Sequence, residues 1–229
     1  RDWSSDVCSS DLHVLQLLSL LAMEPPYSME ADAIRDEKAK VFHAMRPMDP
    51  KRTVRGQYVG GVLRGEPVPG YRQEAGVAPG SEVETYFAGV VEIDSWRWAG
   101  VPFYLRAGKR LAARQTEIAI VFRPAPLSLF EDCSMQAYRP DELFIRIQPE
   151  EGIAFRFMAK QPGPEMCLQQ VSMNFSYQDS FMTKPAEAYE RLLHDAMHGD
   201  PTLFLRSDSV KRAWEVVEPV LQKIRRAHV

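Results

Sequence analysis

Between residues 84 and 177, successive segments carry β-branched or aromatic side chains at a period of two, and no convincing crossover helix separates one from the next. The segments are Glu84 to Ile93, Pro102 to Arg106, Thr116 to Phe122, Glu142 to Gln148, Ile153 to Lys160 and Ser172 to Tyr177, with Thr53 to Val59 ahead of them. A parallel neighbour needs a crossover of about a dozen residues, whereas an antiparallel one needs only a turn, so the sheet is expected to be largely antiparallel. Alternation also assigns faces. Leu143, Ile145 and Ile147 form a core side, which turns Arg146 and Gln148 to the other side.

Helical patterns gather at the two ends. Val14, Leu15, Leu17, Leu18 and Leu21 make a helix that is apolar around most of its circumference, with His13 at its exposed start and Pro25 and Pro26 stopping it. Ser28 is placed to cap a second helix, with Glu30 and Asp32 in its first turn and Ile34, Lys38, Val41 and Met45 continuing it to Pro47. Its RDEKAK run, Arg35 to Lys40, is expected to be a salt-bridged outer face. Gly60 to Gly80 holds enough Gly and Pro to be a long surface loop. Near the end, Tyr189, Leu192, Leu193, Ala196 and Met197 form a stripe that Gly199 terminates. Ser207 then caps a helix bearing Val210, Trp214, Val217, Leu221 and Ile224, which Pro219 should kink. The fold class expected is α+β: a large, mostly antiparallel sheet with helices packed on one face.

Composition narrows the partners. A chain of 229 residues that is 45% hydrophobic can bury a sizeable core, and a net charge of −3 provides no broad basic field for nucleic acid. The longest apolar run, Val14 to Met23, contains Gln16 and Ser19 and is too short to span a bilayer. Cys8, Cys133 and Cys167 lie far apart, so neither a disulfide framework nor a zinc site is expected, no other metal set stands out, and the cytoplasm is the expected compartment. Residues 1–12, RDWSSDVCSSDL, show no helical or strand period and read as a non-native, adapter-derived segment. Residues 225–229 raise the same reading, leaving 13–224 as the domain.

Against this acidic background one stretch is cationic. WAGVPFYLRAGKRLAAR, Trp98 to Arg114, places Arg106, Lys109, Arg110 and Arg114 within nine residues and without an acid. Val101, Phe103 and Leu105 alternate as a strand until Gly108 lets the backbone turn, so the cations begin where a buried strand surfaces. Lysine offers a compact ammonium and arginine a planar fork, a pairing suited to a phosphate; the plainer alternative is a solvated basic turn. His13 is open to two readings as well, structural or catalytic. There is no GxGxxG turn and no GxxxxGK[ST] loop, and no spacing marks a carboxylate pair or a serine nucleophile.

Seven strings extend the reading: HVLQLLSLLAMEPP (His13 to Pro26), RDEKAKV, RGQY (Arg55 to Tyr58), WAGVPFYLRAGKRLAAR, DELFIRIQP (Asp141 to Pro149), EAYERLLHDAMHGD and LFLRSD. Together, in colinear order from His13 to Ile224, they resemble the C-terminal domain of the glucose-6-phosphate dehydrogenase family. The resemblance implies a parent enzyme that oxidises glucose 6-phosphate to 6-phosphogluconolactone with NADP in the pentose phosphate pathway. It makes His13 the general base that takes the C1 hydroxyl proton, and it makes Lys109, Arg114 and, more weakly, Gln148 substrate contacts, with Arg110 solvated. Arg106, Arg146 and Arg156 match basic positions that some members use for a second, structural NADP, but Gln115 and Ala119 stand where those members are cationic. The family's Gly-rich nucleotide-binding domain and its RIDHYLGKE-type segment are not in this sequence, so the chain alone is expected to be inactive. The resemblance further implies a homodimer or homotetramer built through the sheet; a non-catalytic dimerisation or sugar-phosphate-binding module is the alternative. These roles require His13 and the corner at Lys109 to converge on one sugar phosphate.

Overall fold

The structure, a computed structural model, describes residues 4–63, 65–127, 139–165, 167–181 and 188–222. It divides into two compact units, Arg1–Leu111 with Glu187–Val229, and Ala112–Ala186. Among the described residues every strand pairing is antiparallel, as the period-two segments without crossovers require. The α+β architecture stands, with the strands shared among ladders of three, two and four.

In the first unit, α1 (Ser4–Ala22) and α2 (Ala31–Ala44) precede the three-stranded ladder of β1 (Val54–Gly56), β4 (Tyr86–Val91) and β5 (Phe103–Gly108). The helix α1 starts at Ser4, although no period marks residues 1–12. Once the apolar turns from Val14 onward are anchored, each added residue gains a hydrogen bond without paying again for nucleation, so a helix propagates into sequence with no pattern of its own. Glu30, not Ser28, is the N-cap of α2, and Ser28 Oγ accepts a hydrogen bond from the Glu30 backbone. The expected surface loop holds a short hairpin, β2 (Gly61–Leu63) with β3 (Glu66–Val68), turned at Gly65 with φ +87°. Its strands are too short to print a period.

The core of this unit joins Leu15, Leu18 and Ala22 of α1 to Val41 and Phe42 of α2, Phe87 and Val91 of β4, and Ala213, Val216, Val217 and Val220 of α5 (Ser207–Gln222). The buried face of α5 is therefore turned from the stripe expected: Trp214 is 39% exposed, and Ile224 lies outside the described residues. In α4 (Ala188–His198) the inversion is complete. Tyr189, Leu193 and Met197 are exposed while Asp195 is buried, its carboxylate held by Arg191 Nε at 2.9 Å. Gly199, at φ +70°, ends α4 as expected, with Asp200 N bonded to Asp195 O. The RDEKAK run is a charged outer face in part: Arg35 pairs with Asp32 and Lys40 with Glu37. Lys38 is half-buried, and desolvation, with Arg35 beside it, lowers its pKa.

The second unit is a meander of β6 (Thr116–Val121), β7 (Glu142–Gln148), β8 (Gly152–Lys160) and β9 (Leu168–Ser176), closed by the short helix α3 (Tyr177–Phe181). Its register gives two unlike faces. Ile118 sits opposite Ile145, Ile145 opposite Ile153 and Ile153 opposite Phe175 on an apolar side, whereas Glu117 opposes Arg146 and Glu142 opposes Arg156 on a charged side. Cys167 is disulfide-bonded, which corrects the expectation of unpaired cysteines. Whether two sulfurs meet is decided by folded distance, which the spacing of three scattered cysteines does not reveal. Among the described residues no helix is long and apolar enough to cross a membrane.

Candidate active site

The cationic turn follows β5. Phe103, Leu105 and Ala107 of that strand face inward, and Tyr104 and Arg106 face outward. Gly108 is needed at the exit because a Cβ there would stand 2.9 Å from the Tyr86 ring and 3.3 Å from Leu111. Lys109 N then donates to Thr85 O at 2.8 Å. Thr85 is buried, and its Oγ1 accepts a hydrogen bond from Tyr58 N. The backbone that presents Lys109 is thus tied to a buried anchor.

Arg110 is solvent-exposed, as expected, but it is also paired. It has φ +54°, pairs with Glu74 at 2.5 Å and lies over the Tyr58 ring at 5.6 Å, while Tyr58 Oη donates to the same Glu74 carboxylate at 2.9 Å. Hydrogen bonds from Tyr58 and then Arg110 hold the Glu74 carboxyl below its ordinary range. Desolvation, then the Glu74 bond, pushes the Tyr58 phenol up. The RGQY string supports the same frame: Arg55 pairs with Glu84 and donates to Val220 O, and Gln57 donates to Ser81 O and Val83 O. Glu74, Thr85 and Tyr58 were not singled out as site residues, because a positioning side chain carries no chemical motif.

His13 lies inside α1 rather than at its start, and its side chain is exposed. One turn along, the Gln16 Oε1 is buried without a hydrogen-bond partner. The helix packs on β5, and Trp98, just ahead of that strand, donates Nε1 to Ala22 O at 2.9 Å. The histidine and the lysine therefore ride on two elements packed against each other.

Arg114 and Gln148 belong to the other unit. Both stand at one end of the β6–β7 ladder: Gln148 pairs with Thr116, two residues after Arg114, and each is exposed. A register shift between Thr116 and Glu117 sits at that end, the kind of irregularity that re-aims a side chain. Arg146 and Gln148 do turn away from the apolar face, as the alternation required. Arg146 lies 3.8 Å from Glu117, and Arg156 lies 3.6 Å from Glu142 and over the Phe144 ring at 4.4 Å. With both arginines on carboxylates and Ala119 beside them opposite Phe144, this face does not fit a dinucleotide phosphate seat. Arg106, exposed on β5, belongs to the first unit. Among the described residues no group of three or more His, Cys, Asp or Glu side chains could hold a metal ion.

An antiparallel α+β protein that follows a strand with a backbone-anchored lysine, and packs a histidine-bearing helix on that strand, carries a cation and a proton acceptor on neighbouring elements. The family model "Glucose-6-phosphate dehydrogenase, C-terminal domain" matches residues 6–229, and the chain belongs to that family. It is 50% identical over 213 residues to glucose-6-phosphate 1-dehydrogenase of Aggregatibacter actinomycetemcomitans, covering 91% of this chain and 42% of that protein. Against the Chlamydia pneumoniae enzyme the identity is 48% over 214 residues, covering 92% and 42%. Among solved structures, glucose-6-phosphate 1-dehydrogenase from Mycobacterium avium superposes with a TM-score of 0.80 at 38% identity, over 96% of this chain and 44% of that one. A glucose-6-phosphate dehydrogenase in complex with glucose 6-phosphate superposes with a TM-score of 0.82 at 34% identity, over 94% and 45%. The chain thus spans less than half the length of these relatives.

Proposed function

We propose that this chain is the C-terminal part of a cytoplasmic, NADP-dependent glucose-6-phosphate dehydrogenase, which oxidises glucose 6-phosphate to 6-phosphogluconolactone in the pentose phosphate pathway. In this reading the ammonium of Lys109 takes phosphate oxygens, while Arg114 and Gln148, which belong to the second unit, are substrate contacts assigned by the family resemblance alone. The His13 imidazole accepts the C1 hydroxyl proton as the C1 hydride departs. NADP, when bound, supplies the hydride acceptor. Its seat is assigned to the part of the relatives' length that this chain does not span.

The observation that carries the proposal is the packing of α1 on β5, which keeps the His13 helix and the anchored Lys109 turn in one body. A general base alone contributes only about 10²–10⁴-fold in rate, and transfer needs the acceptor held beside the sugar, so the chain by itself should bind without turning over. Calorimetric titration should show binding of glucose 6-phosphate but not glucose, lost in Lys109→Ala, with no NADP reduction by the same sample. Equal affinity for glucose and glucose 6-phosphate would end the assignment of Lys109.

The same protein is proposed to form a homodimer or homotetramer through the sheet of the second unit. Ile153, Val171, Met173 and Phe175 share its apolar side and are each more than one-third exposed, a patch of the kind that marks contact surfaces. Sedimentation should give a dimer or larger for the wild type and a smaller species for Met173→Glu; a wild-type monomer at high concentration would refute this interface.

A further inference from the structure

Lys109 stands between two ties that both lead back to Tyr58. Its own backbone N donates to Thr85 O at 2.8 Å, and the Thr85 hydroxyl accepts from Tyr58 N at 3.0 Å. One residue further on, the Arg110 guanidinium pairs with Glu74, and Tyr58 Oη donates to the same carboxylate. These contacts close a ring around the turn. Glu74 is a firm post for the second tie, because it follows the helical turn Tyr71–Gln73 and its N is bonded to Tyr71 O at 3.1 Å. Tyr71 is buried, donates its N to Tyr58 O at 3.1 Å and meets the Tyr58 ring edge-to-face at 5.8 Å. Arg110 is where such a post is needed. Among the described residues it is the one non-glycine residue at positive φ, +54°, a region in which the Cβ of an L residue crowds the following carbonyl oxygen. A strained conformation of this kind persists only when its surroundings impose it. It also closes the turn, since Leu111 comes back over Gly108, where a Cβ would stand 3.3 Å from the leucine Cγ.

We propose that Glu74 is a positioning residue of the sugar-phosphate site: by holding the Arg110 guanidinium over the Tyr58 ring it keeps Arg110 left-handed, and so fixes the turn from which Lys109 meets the phosphate. The proposal rests on the assignment of Lys109 made above. The same pairing engages Arg110 away from the phosphate, so that Arg110 serves the turn and Lys109 serves the ligand. Without Glu74 the backbone at Arg110 relaxes towards negative φ, and only a fraction of molecules then present the Lys109 turn in its binding geometry. Apparent affinity falls by that fraction. The Arg110 and Glu74 side chains are 36% and 29% exposed, and a pair so accessible to solvent contributes little to global stability. Its effect is therefore local, which separates it from a residue that only supports the fold.

Calorimetric titration of the full chain with glucose 6-phosphate tests this, together with amide exchange at Lys109. Glu74→Ala should weaken binding about 5–30-fold, the population penalty of a left-handed L residue, and should speed exchange of the Lys109 amide while the urea midpoint of the first unit stays in place. Combining Glu74→Ala with Arg110→Gly should regain most of the affinity and the slow exchange, because glycine adopts φ +54° without steric cost. Were Arg110 itself a phosphate ligand, the double variant would instead bind more weakly than Glu74→Ala alone, and that result would overturn the proposal. A wild type that binds glucose and glucose 6-phosphate alike would refute the Lys109 assignment on which the proposal rests. A wild type that discriminates between them, with Glu74→Ala matching it in affinity and in Lys109 exchange, would refute the role of Glu74 alone.

Discussion

Replacing Gly152 with alanine should damage the second unit far more than a glycine-to-alanine change ordinarily does. Gly152 begins β8 and sits opposite Ser176 of β9 and Arg146 of β7. A Cβ on Gly152 would press into the backbone carbonyl oxygen of Phe175, well inside contact distance, and would stand 3.5 Å from the carbon of that carbonyl and 3.6 Å from Ser176 Cα. All of these atoms are main chain, so no side chain can swing away and the strands must part. Overpacking of this kind costs about 1–3 kcal/mol. Parting also strains the nearby bond from Tyr177 N to Glu151 O, 3.1 Å long, whose loss adds about 1 kcal/mol. Against this, alanine restricts the unfolded chain and returns about 0.4–1 kcal/mol. The net expectation is a loss of roughly 1–3.5 kcal/mol from those terms taken together. Urea titration read by amide exchange in β8 and β9 should show it as a lowered midpoint for those amides. Gly61→Ala is the control, because a Cβ at Gly61 meets nothing within 4 Å. If Gly152→Ala and Gly61→Ala unfold at the same urea concentration, the inference from strand approach is wrong.

Leu15→Ala should open a cavity under α1, since Leu15 is only 1% exposed; a loss of about 2–5 kcal/mol is expected in thermal or urea unfolding of the first unit. An unchanged midpoint would mean that α1 is not seated on this core. Asp208 should contribute an acid-labile stability. Its hydrogen bond from Arg206, together with one from Ser209 N, lowers its pKa from the usual 3.8 to about 2. A carboxyl depressed on folding stabilises fully above its unfolded pKa and loses that effect as pH falls towards the folded one. Asp208→Asn should therefore flatten the stability profile between about pH 4 and pH 2, and identical acid profiles for wild type and variant would contradict this.

The strands were legible because a period of two survives in every long ladder member, and where the period is two the face follows, as it did for Arg146 and Gln148. The hairpin of β2 and β3 was not, because three-residue strands among glycines and a proline present no period. Helix stripes failed in a different way. The spacing of Tyr189, Leu193 and Met197 shows that α4 has an apolar side but not which side its neighbours occupy, and burying Asp195 was possible only because Arg191 is one turn away. Charge is the least local property of all. Arg110, though exposed, is paired with a residue its local sequence does not show: Glu74 is 36 residues earlier, brought back by a turn that ends with Tyr58 and Glu74 bonded to each other. The local sequence thus identifies which groups at this corner have the right chemistry, Lys109 and His13 among them. Their rigidity comes from residues without such chemistry: Thr85 beneath the Lys109 amide, Gly108 against Tyr86, and the Trp98 indole on the last carbonyl of α1. A site read only from its charged residues omits the contacts that hold those residues in place.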